Sequence, residues 1–179
     1  MCGIAGAYAF KAEGESFLNS VEASLPSLSK RGPNSHGIFR HSKIALGHTR
    51  LSIIDTSVAA SQPFTDASGR YTIIYNGEFF NFKEYRQTLK SQGVQFKSTS
   101  DTETLLYLFM AHGPKCLEKI NGFFAFAVYD QKEDSLFIAR DRMGIKPLYY
   151  DLDEERLLFA SEMKAMMALG VKKELDHAS

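Results

Sequence analysis

The chain has 179 residues, 44% of them hydrophobic and 23% charged, with 21 basic and 21 acidic side chains; that suits one compact domain over residues 1–179, able to bury roughly 70% of its unfolded surface. The balanced charge, without a basic block, argues against a nucleic-acid surface, no apolar run approaches the ~20 residues of a membrane span, and the N-terminus lacks a charged-then-apolar leader. Only Cys2 and Cys116 are cysteines, so a reduced, cytoplasmic compartment is expected, and His36, His41, His48, His112 and His177 show no ligand spacing, so no metal is expected.

Cys2–Phe10 reads as a buried strand of small and β-forming residues, whose two glycines let another backbone or a ligand come close. If the initiator Met is removed, Cys2 carries a thiol and a free α-amino group within one residue. A latent nucleophile and a latent base then sit together, with no partner His or Asp needed. The alternative is that Cys2 is a small apolar residue opening the strand. A helix is expected over Ser16–Ser29, with Phe17, Val21, Leu25 and Leu28 on one face and a break near Pro26. Arg31–Ser35 is a turn cluster, followed by a hairpin of His36–His41 and Lys43–Ile54. Asp55–Ser61 reads as loop, and Gln62-Pro63-Phe64 as an extended exit from it.

Tyr71–Tyr75 is a strand that ends at Asn76-Gly77. A helix capped by Asn81, with Glu84 three residues on, runs to Gly93; a second, capped at Ser100-Asp101-Thr102-Glu103, runs to Gly113-Pro114. A short amphipathic turn carries Cys116 and Leu117. Four strands follow at Phe123–Tyr129, Ser135–Arg140, Pro147–Asp151 and Arg156–Ala160, then a helix over Ser161–Leu169. Many strands without βαβ alternation imply antiparallel sheets with helices on their outer faces, an α+β layered domain.

An N-terminal cysteine nucleophile needs donors for a developing oxyanion and anchors for the rest of its substrate. Asn76-Gly77 can supply one side-chain and one backbone N–H, although Asn-Gly is also the commonest tight turn. Arg50, in an otherwise apolar strand, either meets solvent or holds a carboxylate in a two-pronged hydrogen bond. Asp101 either serves the helix dipole or takes an ammonium. An arginine and a carboxylate together match the zwitterionic end of a free amino acid.

Several segments carry a family resemblance: Cys2-Gly3-Ile4-Ala5-Gly6, Arg31-Gly32-Pro33, Leu46–Ile53, Gln62-Pro63-Phe64, Tyr75-Asn76-Gly77-Glu78, Ser100–Glu103, Asn121–Ala127 and Ala139–Tyr150. In this order they resemble the class II glutamine amidotransferase domain, an N-terminal-nucleophile hydrolase, and most of all the N-terminal glutaminase domain of glutamine-hydrolysing asparagine synthetases. The resemblance implies a four-layer α/β/β/α sandwich of two antiparallel sheets. It implies that Cys2 attacks the side-chain amide of glutamine, that Asn76 and Gly77 form the oxyanion hole, that Arg50 binds the α-carboxylate and Asp101 the α-amino group. Leu51, Ile53 and Glu78 complete the implied glutamine pocket. The family usually has Asp where this chain has Asn34. The implied partner is a C-terminal or separate synthetase domain that receives ammonia; a homodimer stays open. No cofactor is implied here, ATP and Mg being expected only in that synthetase domain. No Ser-Gly-Gly-x-Asp loop occurs, and Phe159–Ala165 and Glu174-Leu175-Asp176 look like the exit towards it. Amidation of a sugar or secondary-metabolite precursor, or a degenerate glutamine-binding regulatory domain, are the competing readings.

Overall fold

The computed structural model describes residues 1–172; Glu174-Leu175-Asp176 and His177 lie outside them. Nine strands form two antiparallel sheets. The first, in order β2-β3-β1-β9-β8, contains β1 (Gly3–Ala9), β2 (Ser35–His41), β3 (Ile44–Arg50), β8 (Tyr149–Leu152) and β9 (Arg156–Ala160). The second, in order β4-β5-β6-β7, contains β4 (Phe64–Thr65), β5 (Tyr71–Phe79), β6 (Gly122–Asp130) and β7 (Ser135–Arg140).

Strand alternation decides what lies between the layers. Ile4 of β1, Ile44 and Leu46 of β3, Ile74 of β5, Ala125, Ala127 and Tyr129 of β6 and Phe159 of β9 form the core between the two sheets. The alternate residues Ala5, Ala7, Ala45, Leu158 and Ala160 face outward, under Val21, Leu25, Leu28 and the helix α4 (Met163–Leu169). On the other side Ile73, Tyr75, Phe79, Phe124 and Phe126 pack against Phe82 of α2 (Phe82–Ser91) and Leu105, Leu106 and Leu108 of α3 (Asp101–His112). The result is the expected α/β/β/α sandwich. The glycines of β1 accommodate protein rather than ligand: a Cβ at Gly6 would collide with the Phe159 ring, and one at Gly3 would lie 2.7 Å from Thr49 Oγ1.

Several local expectations are corrected. The helix placed over Ser16–Ser29 is α-helical only in α1 (Leu18–Ser24), between 3₁₀ turns at Ala12–Phe17 and Leu25–Leu28. Pro26 stands at the start of the second turn, where its missing N–H costs nothing. β3 stops at Arg50 rather than Ile54, because Leu51 turns its N–H and C=O to the Cys2 thiol and Ser52 N–H goes to Asn34. β5 does not end at Asn76-Gly77. It runs on to Phe79, with Asn76 opposite Ala125 and Gly77 opposite Phe124, so the dipeptide is strand and not turn. Asn81 makes no cap hydrogen bond; its amide instead donates to Lys119 O and accepts from Asn121 N–H. Ser100 caps α3 as expected, accepting from Glu103 N–H at 3.2 Å. The strand expected over Pro147–Asp151 is Tyr149–Leu152, and α4 starts at Met163, since Ser161 is held to Ile4 through both backbone and side chain.

Candidate active site

The alternation that builds the core also builds the site. Cys2 continues the Ile4 face of β1, His48 and Arg50 continue the Ile44–Leu46 face of β3, and Asn76 and Glu78 continue the Ile74 face of β5. All five therefore project into the space between the sheets, at the end where the core residues run out. β4 covers β5 only as far as Ile73, so the edge of β5 from Tyr75 to Phe79 is left open. Side chains take up part of that edge: Tyr75 N–H donates to Gln62 Oε1 at 2.6 Å and Phe79 N–H to Asp101 Oδ2 at 3.2 Å. Gly77 N–H lies between them and points the same way. Its opposite number, Phe124, turns its own N–H and C=O to Asp141.

A cavity of about 230 Å³ opens here, and Cys2, Arg50, Leu51, Ile53, Asn76, Gly77, Glu78 and Asp101 all line it. Every site residue expected from the sequence is thus brought to one place. Ile53 reaches it only at the rim, being 73% exposed. Cys2 Sγ accepts from Leu51 N–H at 3.4 Å and its thiol faces Leu51 O at 3.7 Å. Burial pushes the thiol pKa up, with the Leu51 contact partly opposing it. Arg31 fastens the start of β1, its Nε donating to Cys2 O at 2.8 Å.

The charges around the cavity are unevenly partnered. Arg50 is buried and donates to the carbonyls of Ser57 and Asp55, yet no carboxylate lies within salt-bridge distance of it among the described residues. Asp101 accepts from Tyr75 Oη and Phe79 N–H, both at 3.2 Å, and from Thr102 N–H at 2.9 Å, and it has no cation partner there either. Burial raises its pKa. Asn76 is 1% exposed, and its Nδ2 has no hydrogen-bond partner among the described residues. Leaving a buried donor unmade costs about 1–3 kcal/mol, so such a group at a cavity wall is a place for a ligand oxygen. Chemically the cavity offers a thiol, two N–H donors, and an unpaired cation and anion in Arg50 and Asp101, besides the paired Lys146 and Glu78.

Asn34 stands beside the loop that leaves β3. Its Oδ1 accepts from Ser52 N–H at 3.0 Å, which needs an acceptor oxygen and no charge. The loop Leu51–Ser61 is pinned by Asp55, whose carboxylate accepts from Ser57 N–H and, at 2.7 Å, from Thr99 N–H; these bonds hold its pKa well below the usual range. Gln62, Thr102, Asp55 and Lys146 also line the cavity, and the sequence marks the first, second and fourth only as members of longer motifs, with no role at the site. For Lys146 a signal existed: a lone lysine between Ile145 and Pro147-Leu148.

Two antiparallel sheets between helical layers, with a cysteine at the start of a central strand, make the N-terminal-nucleophile hydrolase fold. The glutamine phosphoribosylpyrophosphate amidotransferase of Bacillus subtilis, solved with ADP and GMP, superposes with a TM-score of 0.77 at 24% identity, over 94% of this chain and 44% of that one. A family model described as "Glutamine amidotransferase domain" matches residues 1–179, and the chain belongs to that family. Asparagine synthetase [glutamine-hydrolyzing] 3 of Bacillus subtilis is 41% identical over 94% of this chain and 28% of its own length. Amidase chyE of Penicillium rubens is 39% identical over 88% of this chain and 23% of its own. The chain thus spans about a quarter of the length of these curated relatives.

Proposed function

We propose that this chain is the glutaminase part of a longer, cytoplasmic amidotransferase, and that it releases ammonia from glutamine for a synthetase domain, most simply for asparagine formation. The observation that carries this reading is the unpartnered, buried Asn76 amide beside the Cys2 thiol, between a cation without a carboxylate and a carboxylate without a cation. A glutamine molecule supplies what each lacks: its α-carboxylate for Arg50, its ammonium for Asp101 and its amide oxygen for Asn76 and Gly77.

With Met1 removed, the Cys2 α-amine accepts the thiol proton and the thiolate attacks the amide carbon. The oxyanion is held by Asn76 Nδ2–H and Gly77 N–H. Collapse expels ammonia, which takes the proton from the α-ammonium, and leaves a glutamyl thioester. Water, deprotonated by the same amine, then frees glutamate and the thiol. Because burial raises the thiol pKa, attack at neutral pH depends on that adjacent base. Asparagine as the product is supported by the names of the relatives; the amidase relative is why amidation of another acceptor stays the second reading.

The test is the intact mass of the purified chain before and after exposure to a diazo-ketone analogue of glutamine, alongside glutamate release. Loss of Met1, one adduct on Cys2, and no release from a folded Cys2→Ala variant are expected. A processed chain that takes no adduct and forms no glutamate would overturn the reading in favour of a binding domain.

A further inference from the structure

Lys146 has no part in the mechanism above, yet it is built into the same cavity. It lies on the crossover from β7 in one sheet to β8 in the other, and its side chain is only 6% exposed. The crossover is held rigidly. Asp141 accepts from Ile145 N–H at 2.9 Å and from Lys146 N–H at 3.0 Å, while Arg140 donates to Lys146 O at 2.9 Å and to Gly144 O at 2.6 Å. A carboxylate and a guanidinium are thus spent on the backbone that delivers one ammonium. That ammonium lies 3.5 Å from Glu78 Oε1 and 3.4 Å from Met1 Sδ. Glu78 is its sole carboxylate partner among the described residues. Burying a lysine is costly unless it is paired, so the placement calls for a reason.

Glu78 follows Gly77 and shares the cavity-facing side of β5 with Asn76. An uncompensated carboxylate there opposes any negative charge that forms at Asn76 and Gly77, and it gives the cavity two anions for one substrate ammonium. We propose that Lys146 is a positioning residue for amide cleavage: it holds and neutralises Glu78, so that Glu78 does not oppose the oxyanion forming next to it. The inference rests on the glutaminase reading. It predicts an effect on the chemical step more than on binding, because the charge at stake appears in the transition state.

The experiment compares glutamate release by the wild-type chain, Lys146→Met, Lys146→Arg, Glu78→Gln and the Glu78→Gln/Lys146→Met double variant, with circular dichroism to confirm folding. Lys146→Met should lower kcat roughly tenfold with KM within about twofold, from Coulomb repulsion at an effective dielectric of about 20 with one partner half exposed. Lys146→Arg, which keeps the charge, should stay within about threefold of wild type, and in the Glu78→Gln background the same Lys146→Met change should cost less than about twofold. Should Lys146→Met not fold, Lys146→Gln takes its place. An unchanged kcat, a loss confined to KM, or an equal loss in both backgrounds would overturn the inference while the glutaminase reading stands. No glutamate from the wild-type chain would overturn both.

Discussion

At the scale of single residues, the proposed function turns on Arg50 and Asp101, two charges in one cavity without an opposite partner among the described residues. On that reading Arg50 is the position where residue type matters most, because a carboxylate is gripped by a planar fork and not by charge alone. Arg50→Lys keeps the charge and should raise the glutamine KM on the order of tenfold, with a smaller change in kcat and a retained fold. An unchanged KM would remove Arg50 from the substrate site.

At the scale of elements, the site depends on two sheets keeping register across a gap, and His48 is one of the ties. It is fully buried, and its Nε2–H donates to Tyr75 O at 3.2 Å, joining β3 to β5, while Nδ1 has no partner among the described residues. Burial lowers its pKa from 6.5 to about 3, so the folded chain keeps it neutral. The unfolded chain protonates it below about pH 6.5. As pH falls through that window the unfolded state gains a proton that the folded state refuses, and stability is lost, by about 2 kcal/mol at pH 5 relative to pH 8. His48→Gln keeps a donor without the titration, so its urea-unfolding free energy should vary less with pH by that amount. Parallel pH curves for the two proteins would dismiss this account.

At the scale of the whole molecule, the cavity lies where the inter-sheet core gives way at one end of the sandwich, and the proposed glutaminase chemistry calls for no metal there. Two cations, Arg50 and Lys146, line it, Asp101 already accepts three hydrogen bonds, and no cluster of three or more His, Cys, Asp or Glu that could hold an ion occurs among the described residues. On the proposed reading glutamate release should be unchanged by a chelator and by added ATP, and a strong loss on chelation would contradict it.

What was legible in the sequence was local or strongly patterned. The apolar alternation of β1, β3, β5 and β6 and the Ser100 cap marked the layers, because strand period and capping chemistry act over a few neighbours, while the family resemblance pointed to eight residues that line one cavity. The tertiary structure decided the rest. Whether Asn76-Gly77 turned or continued depended on β6 lying opposite, a pairing some fifty residues away. The 3₁₀ turn at Leu25–Leu28 is the break that Pro26 announced, whereas the one at Ala12–Phe17 had no such signal, and Asn81 gave up its cap for Lys119 and Asn121. The burial of Lys146 against Glu78 arises only when a crossover from one sheet reaches a strand end of the other, and no short-range pattern encodes that meeting.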